Sequence, residues 1–175
     1  MILILLVLLG LVVGSFISAI TYRIPKGQQF IKGRSFCDSC KEELKWYDNV
    51  PLFSFLFYCG VSRCCGKKIS IRYPLIELAS VVGIVTVWLN FHSLLLIVIF
   101  FLTLTILVID FEHQIIPDEL SWFVLLLVFL VSLDNQTKLF SGLFSGFVFA
   151  SVFLSLHLIT RGRGMGLGDV KLAIP

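Results

Sequence analysis

Charge is what this chain has least of. Of its 175 residues only 14% are Asp, Glu, Lys or Arg, while 58% are hydrophobic. Mean hydropathy is +0.99. A soluble domain is about a quarter charged and under half apolar, so neither an ordinary soluble globule nor a disordered chain fits. The net charge of +3 is too small for a surface that tracks phosphates, which argues against a nucleic-acid partner. No basic stretch stands before the first apolar run, as a cleaved secretory signal requires. No glycine-rich strand-turn-helix is present to cradle a nucleotide-like cofactor. Five cysteines are an odd number, so a complete set of internal disulfides is impossible. The class that remains is an integral membrane protein, with the lipid bilayer as its surroundings.

What is present fits that class. Ile2 to Ile20 carries no charge and as a helix spans about 28 Å, close to the hydrocarbon thickness. Gly10 and Gly14 stand four apart on it, a small-residue face for close helix packing. Thr21 to Arg72 is different: it holds ten of the fourteen Lys and Arg and all five Cys. Within it, Pro51 to Tyr58 is apolar and aromatic but too short to span. The uncharged run Leu78 to Ile109 would be about 48 Å long as one helix, too long for a bilayer, so a hairpin is expected. Asn90 to Ser93 is its natural turn, between helices of Pro74 to Leu89 and Leu94 to Asp110. Leu120 to Leu133 follows, with Asp118 as its expected cap. Leu139 to Thr160, with Gly142 and Gly146, makes the last span.

These runs predict an all-α membrane protein of five transmembrane helices with its N-terminus outside. The expected parts are helix one over 1–20, a cysteine-rich cytoplasmic loop domain over 21–73, and a membrane domain over 74–175. Thirteen of the fourteen Lys and Arg then lie inside and only Lys138 outside, as the positive-inside rule asks. This topology puts Asp110 and Asp169 at the same cytoplasmic membrane face.

Asp110 ends an apolar run, and Asp169 sits in a loop with Gly at 162, 164, 166 and 168. Taken singly, each has a plain reading, as a helix-end residue in the headgroups and as a helix cap. Alternating glycines also let a backbone approach another chain closely. Taken together, two carboxylates held close share a proton, one pKa rising and the other falling. One then activates water while the other protonates the departing amine. Cys37-x2-Cys40 has the spacing of half a zinc knuckle. Glu77 is rare in an apolar span, and either a functional role or a pairing with Arg72 accounts for it. His113 is either a partner that tunes Asp110 or an interfacial residue. Lys171 either lowers the pKa of Asp169 or is an ordinary inside-facing charge.

Gly166-Leu167-Gly168-Asp169 matches the GxGD motif of intramembrane aspartyl proteases. Followed by Val170-Lys171, and preceded by Asp110 and Ile116-Pro117-Asp118, it resembles the bacterial prepilin peptidases (type IV prepilin leader peptidase/N-methyltransferase). The resemblance spans nearly the whole chain. Gly14-Ser15-Phe16 and Arg23-Ile24-Pro25 match the first helix and its exit, and Cys37 to Cys40 and Trp46 to Pro51 match the cytoplasmic loop. Ser70 to Glu77 matches the start of helix two. The resemblance implies catalytic Asp110 and Asp169, with Gly166, Gly168 and Lys171 in the loop that shapes the substrate cleft. It implies removal of the short basic leader from prepilin or pseudopilin-like precursors, in the bacterial cytoplasmic (inner) membrane at its cytoplasmic face. Methylation of the new N-terminus from S-adenosylmethionine is a second implied activity, toward which Glu77 is a candidate.

Family members that bind zinc carry a second Cys-x2-Cys ending just before a Gly. Here Cys65-Gly66 fits that end, but the first position is Ser62. A Zn2+ site from Cys37, Cys40, Cys64 and Cys65 is one reading, with Cys59 as the alternative to Cys64. A small polar loop with little core benefits from such a staple. Reduced thiols without metal are the other reading. Family members also continue through further helices past GxGD, so a C-terminally truncated chain is expected. Two rival functions use the same residues. One is an ion-coupled transporter subunit with Asp110, Glu77 and Asp169 as cation ligands. The other is a non-enzymatic membrane anchor for the cysteine-rich module.

Overall fold

The computed structural model describes residues 1–24, 36–37, 39–45, 52–133 and 136–159. These form helices α1 (Ile2–Arg23), α2 (Phe53–Phe57), α3 (Arg72–Phe91), α4 (Leu94–His113), α5 (Asp118–Ser132) and α6 (Gln136–Ile159). Among the described residues there is no β-strand, only two isolated antiparallel bridges, Phe36 with Glu43 and Val61 with Lys68. Three described helices, α1, α3 and α4, are long and apolar enough to cross a membrane. Large apolar side chains such as Leu8, Val12, Leu78, Val82 and Leu107 stay exposed on them, as expected where lipid is the surrounding solvent.

The chain divides into two compact units, Met1–Thr105 and Ile106–Pro175. The first is organised by α1 lying against α3. A Cβ on Gly14 would stand 2.7 Å from Glu77 Cα and 2.8 Å from Ser80 Oγ, and one on Gly10 would stand 2.9 Å from Val81 Cα. Only glycine admits so close an approach of two backbones. The polar residues sealed into this contact satisfy themselves within their own helices. Ser18 Oγ donates to Ser15 O at 2.8 Å, and Ser80 Oγ donates to Ile76 O at 2.8 Å. Such bonds let hydroxyls sit in an apolar contact without stranding a donor. Farther along, Leu6, Ile84 and Ile97 close a small core, with Trp88 and Phe101 packed on it. Gly83 belongs to that packing, since a Cβ there would run into the Phe100 ring.

The expected hairpin is formed: α3 ends at Phe91, and His92 takes a left-handed conformation with φ 49°. Both helices run slightly past their expected ends. The Pro51 to Tyr58 segment contains α2, whose Leu56 and Phe57 are exposed. In the second unit, α4 is closed off by Gln114, whose N–H donates to Asp110 O at 2.8 Å with φ 54°. Asp118 does not stand at the N-cap position expected of it. Pro117 is the N-cap, with no side-chain capping bond, and Asp118 is the first helical residue. Pro117 is extended, with φ −66° and ψ 118°, and Asp118 and Glu119 lie in the first turn, where the helix dipole favours acids.

Gly14 and Gly142 differ in what surrounds them. A Cβ at Gly142 would meet no atom within 4 Å. Gly14→Ala should therefore lower stability by roughly 1–3 kcal/mol through overpacking. Gly142→Ala should be neutral or stabilising by up to about 1 kcal/mol through helix propensity. Unfolding of the two variants in detergent, measured side by side, checks this.

Candidate functional site

The cysteine cluster is built by a backbone pattern that occurs twice. In the first turn Cys37 N–H donates to Glu42 O at 2.8 Å, and Lys41 N–H donates back to Cys37 O at 2.9 Å. Lys41 takes a positive φ of 61°. In the second, Ser62 N–H donates to Lys67 O at 2.8 Å, and Gly66 N–H donates back to Ser62 O at 2.8 Å. Gly66 takes φ 68°. The bridges Phe36 to Glu43 and Val61 to Lys68 close the two turns alike. Ser62 thus stands where the first turn has Cys37, and Cys65 stands where it has Cys40.

The fourth sulfur comes from the residue just before Cys65. The Sγ atoms of Cys37, Cys40, Cys64 and Cys65 all lie within 4.8 Å of one another. Cys40 to Cys64 is 3.0 Å and Cys37 to Cys65 is 3.8 Å. Four sulfurs at about 2.3 Å around one tetrahedral zinc stand about 3.8 Å apart, so the cluster is of the right size. Cys59 is exposed and outside the group, so the fourth sulfur of this cluster is that of Cys64. Ser62 Oγ lies 3.4 Å from Cys37 Sγ and 3.1 Å from Cys64 Sγ.

The thiols are unequal acids. Burial raises the Cys37 pKa, but the Ser62 hydroxyl and the backbone N–H groups of Cys40 and Ser39 outweigh it, bringing it down to about 6. Cys40 moves the other way, pushed up to about 12, chiefly by its contact with Cys64. The Cys37 thiolate forms easily, and Cys40 resists ionising in the same cluster. A divalent cation removes that conflict, because it neutralises all the ligands together.

Beside this cluster lies a cavity of about 470 Å3. Glu77 lines it and is only 5% exposed. Its Oε2 accepts from Leu52 N–H at 2.7 Å, and the Ser15 hydroxyl bonds to the same carboxylate. The pairing with Arg72 weighed from sequence is not the one made. Arg72 Nη2 instead donates to the buried Thr21 Oγ1 at 2.6 Å, tying α3 to the end of α1.

In the second unit Asp110 lies on the last turn of α4 and is half-buried, between the fully buried Ile109 and the exposed Phe111. His113 approaches Glu112, at 3.9 Å. Asp169, Gly166, Gly168 and Lys171 lie outside the described residues.

Ser62 is marked in the sequence only as the position where a second Cys-x2-Cys lacks its first sulfur, and Ser15 and Leu52 are given no contact there. The signal for Ser62 is in the chain: Ser62-x2-Cys65-Gly66 echoes Cys37-x2-Cys40-Lys41. The Leu52 contact is a backbone one and leaves no trace in residue type.

Comparison with known proteins gives these residues a family. Residues 8–91 match the Bacterial Peptidase A24 N-terminal domain, and residues 94–175 match the Type IV leader peptidase family. The prepilin leader peptidase/N-methyltransferase of Klebsiella pneumoniae is 34% identical over 182 residues, covering 95% of this chain and 80% of the relative. This chain belongs to the type IV leader peptidase family. Prepilin leader peptidase/N-methyltransferases of Vibrio cholerae and Pseudomonas aeruginosa are each 32% identical, over 97% and 95% of this chain and 74% and 68% of their own lengths. No solved structure matches. The boundary between the two family matches falls at 91–94, the turn between α3 and α4.

The donor set is directly testable. Cobalt(II) added to the reduced protein should give the absorption of a tetrahedral four-thiolate site with one metal per chain. Cys64→Ser should weaken binding by at least about tenfold, whereas Cys59→Ser should leave the spectrum and affinity unchanged.

Proposed function

We propose that this protein is a membrane aspartyl endopeptidase that removes the short basic leader from prepilin or pseudopilin-like precursors at the cytoplasmic face of the bacterial inner membrane. The observation that carries the reading is membership of the leader-peptidase family together with Asp110 on the last turn of an apolar, membrane-length helix. That is where a carboxylate meets a peptide bond at a bilayer boundary. The second carboxylate of the reading is Asp169 in its GxGD motif, with Gly166, Gly168 and Lys171 shaping the cleft.

The chemistry is hydrolysis by a carboxylate pair. One of Asp110 and Asp169 is ionised and takes a proton from water as the oxygen attacks the scissile carbonyl. The other is protonated and gives its proton to the leaving nitrogen as the C–N bond breaks. The products are the leader's carboxylate and a new N-terminal amine on the pilin. Five spans with the N-terminus outside complete this reading, and residues 21–73 then form the cytoplasmic module. Cys37, Cys40, Cys64 and Cys65 hold a structural Zn2+ in that module, taking the place of the hydrophobic core that so small a domain lacks.

The same reading includes methylation of the new amine. S-adenosylmethionine would supply the methyl group from its sulfonium centre. The printed names of the relatives, which pair leader peptidase with N-methyltransferase, support this second activity.

Co-expression with a pilin-like precursor, followed by mass analysis of its N-terminus, reports both activities. Asp110→Asn and Asp169→Asn should each cut leader removal by at least about a hundredfold, with membrane insertion intact. Processing that survives either substitution would remove that aspartate from the proposed pair.

A further inference from the structure

A short helix of the cysteine-rich module turns two large apolar side chains outward. Leu56 and Phe57 of α2 are 72% and 71% exposed. The turn that follows makes this a built feature. Gly60, at φ 72°, donates its N–H to Phe55 O at 2.8 Å. The Phe55 ring packs on Gly60, where a Cβ would stand 3.2 Å from it. Phe55 is thereby held inward, and the next two side chains of the helix point elsewhere. Phe57 meets Tyr58 edge-on, with ring centroids 5.4 Å apart. Side chains of this size left in water forgo the free energy of burial.

Depth says what covers them. Leu52, just before α2, donates its N–H to Glu77 Oε2 at 2.7 Å. Glu77 is the sixth residue of α3, and the Ser15 hydroxyl bonds to the same carboxylate. Ser15 lies eight residues, or about 12 Å of helix, before the end of α1 at Arg23. The start of α2 is therefore tied to a level inside two membrane-length helices, not beyond their ends. At that level α3 already presents apolar surface. Ile71, Leu75, Leu78 and Val82 are each more than half exposed and recur on one face at helical spacing. Leu56 and Phe57 add to the apolar surface at the depth where that stripe begins.

Charge agrees with depth. From Leu52 to Arg72 the chain has four basic residues, Arg63, Lys67, Lys68 and Arg72, and no Asp or Glu. Arg63, Lys67 and Lys68 are exposed. They belong to the turn that follows α2 directly, where Val61 N–H donates to Tyr58 O at 3.0 Å and Ile69 N–H to Gly60 O at 2.8 Å. Apolar side chains beside a turn with charge of one sign are the pattern of a segment that rests in the interface of an anionic bilayer. A second copy packed on this face about a twofold axis would set the two basic turns against each other.

We propose that α2 and the basic turn after it form an interfacial anchor. Leu56 and Phe57 dip into the headgroup–acyl boundary of an anionic bilayer, and Arg63, Lys67 and Lys68 meet its phosphates. Cys64 and Cys65 lie in the same turn, so the anchor also holds the cysteine cluster against the membrane. This goes beyond the leader-peptidase reading and stands whether or not a precursor is cleaved.

Photo-crosslinking of the full chain in nanodiscs tests it. The amino acid p-benzoylphenylalanine takes the place of Phe57, Val82 or Glu42, one at a time, and intact mass identifies the adducts. Val82 is the lipid-facing reference on α3, and the exposed Glu42 is the reference in water. The probe at Phe57 should give lipid adducts at several times the yield at Glu42, approaching the yield at Val82. Phosphatidylglycerol mixed into phosphatidylcholine discs should raise the yield at Phe57 several-fold and leave that at Val82 unchanged. Lys67→Gln combined with Lys68→Gln should abolish the rise. Far-UV circular dichroism reports whether each variant keeps its helices. Should the Phe57 variant fail to do so, the probe in place of Leu56 carries the test with the same expected yields. The proposal is overturned if lipid adducts at the α2 site are no more frequent than at Glu42, if the main adduct is a second copy of the chain, or if phosphatidylglycerol leaves the yield unchanged.

Discussion

The first unit depends on two helix backbones coming closer than side chains normally allow. Gly10 and Gly14 remove the atoms that would hold α1 away from α3. In a bilayer the apolar faces of two helices gain little by leaving lipid for each other, so close packing and satisfied polar groups must hold them together. The contact supplies both. Backbone meets backbone at the glycines, Ser18 and Ser80 bond within their own helices, and Arg72 reaches across to Thr21. The same approach that makes the contact tight is what buries Glu77, so the packing device and the cavity wall are one feature.

Beyond that contact, the polar module is built on short backbone turns that gather four sulfurs. Its two turns repeat one hydrogen-bond scheme, yet the side chains do not follow the repeat. Where the first turn has Cys37 the second has Ser62, and the missing sulfur is supplied by Cys64. A thiol shifted by one residue reaches the same centre because a tight turn brings successive side chains around one point. The serine stays in the cluster as a neighbour of two sulfurs, at 3.4 Å and 3.1 Å. A hydroxyl there donates to a thiolate and lowers the cost of ionising it, whereas a second thiol would compete for the same charge.

Much of this was legible in the chain. The hairpin at Asn90 to Ser93, the spans on either side of it and the small-residue face of α1 followed from runs of apolar residues and from glycine spacing, which depend on local geometry alone. Asp110 at a helix end followed in the same way. Asp118 is one residue inside the helix rather than at its N-cap, which is Pro117, because a helix boundary is set by backbone geometry that residue type alone does not fix. Of the two readings of Glu77, the pairing with Arg72 is replaced by bonds to Leu52 and Ser15. Residue type favours an acid-base pair, but the distance between them is a tertiary quantity.

By itself, then, the sequence determined that the chain is helical and membrane-bound in character, where its helices turn, and which family motifs it carries. Those properties are written in composition, hydrophobic run length and residue order. It left open which cysteine completes the cluster, what Glu77 touches, and which side chains of α2 face outward. Those were decided only when α1 closed on α3 and the two turns came together, because they are relations between residues far apart in the chain. Their distances depend on the packing of every element between them.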